Sequence, residues 1–150
     1  MEWFDQDIQN AIEIARKYYD ESTFAHASRV AGFVEDNPFI PIIYKTDCIC
    51  LAWMHDLLED TSYKNEPKFV VEKGFLNELV FDEALYLLTK PKDMDYISYI
   101  KRFKDEQYSA YARQYAWWVK IADMKDHLSR TETLTDRLKE KYLEALPYLL

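Results

Sequence analysis

A chain of 150 residues, 49% of them hydrophobic and 31% charged, carries enough apolar material for one domain over 1–150 with a sizeable core. Its formal charge of −8 repels nucleic acid and anionic membranes, which excludes both as default partners. Two glycines and five prolines are too few for the many turns of an all-β protein, so the expected class is all-α. A small phosphorylated ligand stays open, because a bound cation reverses the local field. No stretch approaches the roughly 18 consecutive apolar residues of a membrane span, and Met1-Glu2-Trp3-Phe4-Asp5 lacks the basic-then-apolar layout of a secretory signal. A cytoplasmic location is the expectation.

Apolar residues at three- and four-residue spacing predict a first amphipathic helix over 3–19, with Phe4, Ile8, Ile12, Ala15 and Tyr19 on one stripe. Asp20-Glu21-Ser22 interrupts it. Ser22 or Thr23 is expected to cap a second helix over 24–35 that carries His26, Val30 and Phe33. After the loop at Asp36-Asn37-Pro38, Thr46-Asp47 reads as the cap of a third helix running through His55 to about Leu58. Cys48 and Cys50 would point to nearly opposite sides of it, as buried apolar residues rather than a disulfide.

Pro67 suits the first turn of a short helix that Gly74 ends, and Asp82 is expected to cap an apolar segment over 84–88. Further helices are expected over 95–103 and 108–130, and from Thr135 or Asp136 to the C-terminus, where Pro147 loosens the final turn. The sum is a single compact bundle of about seven or eight helices.

The stretch from Ala52 to Thr61 packs His55, Asp56, Glu59 and Asp60 into six consecutive positions of an apolar run. Spacings of three and four place side chains on neighbouring turns of one helix face. Burying such groups without a partner is costly, so a divalent cation is the expected partner. His26 and Asp123 lie on separate predicted helices, and convergence from separate elements is how a helical bundle builds a metal site. Two histidines with two carboxylates suit a borderline transition ion better than magnesium. Taken singly, each residue also has an ordinary structural role. His26 fits a helix face, Asp123 can pair with Lys120 one turn earlier, and Glu59 and Asp60 fit a solvated helix end.

His26, the doublet His55-Asp56 and the late Asp123 resemble the ligand pattern of the HD-domain metal-dependent phosphohydrolase superfamily. The segment His55-Asp56-Leu57-Leu58-Glu59-Asp60-Thr61 is similar to the His-Asp-x-x-Glu-Asp-Thr signature of its RelA/SpoT-type branch, the (p)ppGpp hydrolases that include the metazoan SpoT homologue. Leu88-Thr89-Lys90 and Val119-Lys120-Ile121-Ala122-Asp123 resemble further motifs of that branch, in the same order, over about residues 8–146. The resemblance implies an HD-type helical bundle in which His26, His55, Asp56 and Asp123 bind one divalent ion, manganese being usual. It implies Glu59 and Asp60 as the catalytic acids that position or deprotonate water. A phosphorylated nucleotide, guanosine tetraphosphate first, would be the small-molecule partner, with Tyr142 contacting it.

The chain departs from that pattern in two places, one residue and one stretch. His127 stands where the family places an asparagine beside the sugar, and is expected to contact substrate. Tyr18 to Ala25 is acidic and aromatic where the family has a basic loop. Lys90, followed by Lys92, Lys101 and Arg102, is expected to meet phosphate. A phosphatase or phosphodiesterase acting on another nucleotide, and a non-catalytic nucleotide sensor, are the alternative readings.

Overall fold

A computed structural model of the chain describes residues 2–60 and 78–150, with side chains over 6–59 and 79–150. Among the described residues the regular structure is entirely helical. Helix α1 spans Glu2–Tyr18, α2 Glu21–Asp36, α3 Ile42–Met54 and α4 Leu57–Asp60. Further along the chain come α5 (Glu78–Leu87), α6 (Tyr96–Lys101) with a 3-10 turn at Arg102–Lys104, α7 (Ala110–Ser129) and α8 (Asp136–Leu149). The short helix expected between Pro67 and Gly74 lies outside the described residues. No helix among those described is long and apolar enough to cross a membrane.

Helix α3 is the hub, packed against α1, α2, α5 and α7. Every residue from Asp47 to Met54 is buried, so this part of the helix is enclosed on all sides instead of along one stripe, as a central helix must be. Three expected helix starts shift. Helix α3 starts at Ile42 behind Pro41, and Asp47 is a buried mid-helix residue instead of its cap. Similarly, α5 begins at Glu78 and takes Asp82 inside it. Helix α2 starts earlier than expected because Asp20, not Ser22 or Thr23, is its cap. The Asp20 carboxylate accepts the Thr23 N–H at 2.7 Å. Asp95, Ser109 and Thr135 cap α6, α7 and α8 in the same way, close to their expected starts. Cys48 and Cys50 are free thiols in the core.

Two cations, half-buried Lys45 and buried Arg102, fix the ends of helices. Lys45 donates to the carbonyls of Val34, Glu35 and Asn37, closing the C-terminus of α2. Arg102 donates to the carbonyls of Tyr86, Leu87 and Thr89, closing α5 and setting the turn that carries Lys90. Arg102 is thereby committed to backbone, which removes it from the phosphate-facing residues expected from the sequence.

Candidate metal centre

The acidic stretch after α3 is not one continuous helix. Helix α3 stops at Met54, His55 is its C-cap, and α4 begins at Leu57. The two groups that a continued helix would join are engaged elsewhere. Ala52 C=O accepts from the His55 ring at Nδ1, 2.6 Å away, and Asp56 N–H donates to the Tyr19 hydroxyl at 3.2 Å. A histidine side chain and a tyrosine from the end of α1 therefore break the helix. The break turns His55 and Asp56 together towards α2 and α7.

There they meet His26 of α2 and Asp123 of α7. His26, His55 and Asp123 form a group that can hold a metal ion, with one ligand atom from each lying within 4.8 Å of the others. Asp56 Oδ2 approaches the same nitrogens, 3.3 Å from His55 Nε2 and 3.9 Å from His26 Nε2. The proton positions give this geometry its meaning. A carbonyl only accepts, so His55 Nδ1 carries the hydrogen that bonds Ala52, and neutral His55 points a lone pair from Nε2. His26 Nδ1 lies 2.7 Å from Asp126 Oδ2, which likewise fixes the hydrogen on Nδ1 and the lone pair on Nε2.

The two Nε2 atoms are 3.3 Å apart. Asp123 Oδ1 sits 2.8 Å from His26 Nε2 and 3.4 Å from His55 Nε2. Lone pairs from two imidazoles and two carboxylates thus face one another, an arrangement that requires a cation or a proton among them. Without a metal the proton takes the place. Burial opposes a charged His55, but the Asp56 and Asp123 carboxylates outweigh it and push the imidazole up to about 9. His26 is raised in the same sense, with Asp123 overcoming its burial.

The supporting groups come from α2 and α7 and were not anticipated. Asp126 is buried, accepts from His26 and is itself held by Arg29, whose Nε and Nη2 donate to its two oxygens at 2.7 and 3.1 Å. Burial raises the Asp126 carboxyl, but Arg29 and His26 hold it below the usual carboxylate range. The sequence signal was the matched three-residue spacing of His26 with Arg29 and of Asp123 with Asp126. Only the 97-residue contact between α2 and α7 shows that the two pairs meet. Asp126→Asn is expected to weaken metal binding by about 10- to 100-fold, measured by competition with a chelating dye. An unchanged affinity would remove Asp126 from the support of the site.

Asp123 serves both of its sequence readings at once. Oδ2 accepts from buried Lys120 at 2.7 Å, while Oδ1 faces the histidines. Burial favours the neutral acid, yet Lys120, His127, His26 and His55 together hold its carboxyl well below the usual range. His127 Nε2 reaches the same Oδ1 at 3.2 Å. Its ring lies between His26, 4.6 Å away, and Tyr142, stacked at 5.1 Å and 16°. All three histidines of the chain therefore gather on one carboxylate oxygen.

A cavity of about 150 Å3 opens beside this cluster, and Asp56, Glu59, Lys90, Lys141, His127 and Tyr142 line it. Glu59 Oε1 accepts the Lys90 backbone N–H at 2.5 Å. The Lys90 ammonium donates to the carbonyls of Pro91 and Met94, so it is the main chain of Lys90 that addresses Glu59. The Asp60 side chain lies outside the described residues. A larger cleft of about 450 Å3 lies on the other side of the His127–Tyr142 stack, bounded by Arg29 and Arg130. The structure thus brings His26, His55, Asp56, Asp123, Glu59, Lys90, His127 and Tyr142 to one place. No protein-family model matches the chain, and no curated protein matches it in sequence.

Proposed function

We propose that the chain is a metal-dependent phosphohydrolase acting on a phosphorylated nucleotide through an activated water, with a (p)ppGpp-like pyrophosphate ester as the first substrate to try. The observation that carries the reading is the convergence of two imidazole lone pairs and two carboxylates, with Glu59 in the adjoining cavity. His26, His55, Asp56 and Asp123 would hold the ion, and manganese fits a mixed nitrogen and oxygen set. A divalent ion, when bound, polarises a phosphoryl oxygen and acidifies water. Glu59, oriented by the Lys90 N–H, takes the proton of the attacking water as its oxygen bonds to phosphorus and the ester oxygen leaves. Asp60 shares that role in the sequence motif. Lys120 holds Asp123 in place from the side away from the histidines.

The test is metal content measured beside turnover on a nucleotide panel, with protein purified in manganese. Asp56→Ala is expected to lose both metal and turnover. Glu59→Gln is expected to retain the metal and lose roughly 10²- to 10⁴-fold in rate, the range of general acid–base catalysis. Loss of metal in both variants would overturn the division of roles, and an inactive, fully loaded wild type would overturn the hydrolase reading. A phosphatase for another nucleotide is the second reading, favoured by His127 and by the acidic, aromatic approach from Tyr18 to Ala25. A panel of guanosine tetraphosphate, nucleoside monophosphates, NADPH and cyclic nucleotides separates the two. Stoichiometric nucleotide binding without hydrolysis, unchanged in Glu59→Gln, would point to a sensor.

A further inference from the structure

Three lysines line the small cavity, and two of them are committed. Lys120 pairs with Asp123, and Lys90 donates to two loop carbonyls. Lys141, from α8, is different. Its ammonium lies over the faces of Tyr96 and Tyr142, 4.4 and 5.5 Å from their centroids. Among the described residues, ion pairs join carboxylates to Lys120, Arg29, Arg130 and the histidines, and none reaches Lys141. Partial burial, and then the charges of Lys120 and Lys90, hold its ammonium below the usual range. Its positive charge is therefore held at the cavity by aromatic faces, which attract a cation without neutralising it.

Charge and size together define what would fill the space. Among the described lining residues Lys90, Lys120 and Lys141 balance Asp56, Glu59 and Asp123, so a bound divalent ion leaves net positive charge to be met by an anion. A volume of about 150 Å3 is well below the usual ligand pocket of roughly 300–1,000 Å3. It holds one compact anionic group and not a whole nucleotide.

We propose that Lys141 binds the terminal phosphate or diphosphate of the substrate inside this cavity, beside His55, Asp56 and Glu59, while the remainder of the molecule stays outside it. The inference rests on the hydrolase reading and narrows it. Substrates with a free phosphoryl end fit, and diesters, which carry a substituent on both sides of phosphorus, do not. Lys141 is thus a specificity-determining residue, supplied by the last helix and not by the metal-binding segments.

The experiment titrates manganese-loaded protein calorimetrically with inorganic phosphate, pyrophosphate, methyl phosphate and dimethyl phosphate, with metal content measured on each sample. The first three are expected to bind and dimethyl phosphate to bind at least about 10-fold more weakly. Lys141→Ala and Lys141→Met are expected to weaken phosphate binding by about 10-fold or more with manganese content unchanged, and Lys141→Arg to restore it to within about 3-fold. The proposal is overturned if the loaded Ala and Met variants bind phosphate like wild type, or if dimethyl phosphate binds as tightly as methyl phosphate. A wild type that retains no manganese overturns the hydrolase reading together with the proposal, so the metal assay tells the two failures apart.

Discussion

Asp123→Ala is expected to lower the unfolding midpoint of the metal-free protein by roughly 10 °C, and most of that loss comes from Lys120. The Lys120 ammonium is buried, and Asp123 Oδ2 at 2.7 Å is its anionic partner. Burial works against its charge, and Asp123, followed by the neighbouring tyrosines, holds it well above the usual lysine range. Removing one partner of a buried pair strands the other and costs roughly 3–5 kcal/mol. For a chain of this size each kcal/mol moves the midpoint by roughly 2–4 °C. The check is a cycle with Lys120→Met, made alone and combined with Asp123→Leu. The double variant is expected to recover most of the midpoint, because two apolar side chains then replace a buried ion pair. If it is no more stable than Asp123→Ala, the cost lies with the histidines and not with Lys120.

The second large effect is a pH dependence that manganese reverses. His55 has its folded pKa raised to about 9, from an ordinary value of 6.5. Its contribution is therefore fully present below about pH 6.5 and is lost as the pH rises through about 9. The amount is roughly 3 kcal/mol, in the same direction as the smaller contribution of His26. The metal-free protein is expected to lose roughly 10 °C in midpoint between pH 6 and pH 9.5. With excess manganese the ion is expected to displace the proton, so that stabilisation grows with pH over the same window. Calorimetry near neutral pH, repeated in buffers of different ionisation enthalpy, should register proton release on binding. A metal-free midpoint flat from pH 6 to pH 9 would show that no proton stands between the imidazoles and the carboxylates.

The parts of this architecture visible in the sequence are those governed by local rules. Asp95 and Thr135 cap their helices within three residues, so the starts of α6 and α8 are legible. Helix α3 misleads at its start, because its first turn carries exposed Ile42 and Ile43 with no side-chain cap, while Asp47, a residue type that caps helices, is buried inside it. The break at His55 is invisible for another reason. It depends on a tyrosine 37 residues earlier that takes the Asp56 amide, and no pattern within the motif reports that contact. The gathering of His26, His55, Asp56 and Asp123 was legible as a constellation, since residue types that bind metals are scarce inside apolar runs. Asp126, Arg29 and Lys141 were not, because charged residues on helices are mostly solvated and their roles here arise only from the packing of α2, α7 and α8.

The placement of every histidine at one carboxylate oxygen has a practical consequence. His26, His55 and His127 are the chain's whole histidine complement, so its imidazole nuclear magnetic resonance signals carry no background from elsewhere in the molecule. A diamagnetic ion such as zinc would shift them as a set, and paramagnetic manganese would broaden them as a set. The occupancy of the centre can thus be followed spectroscopically in the intact protein without any label, before a substrate is in hand.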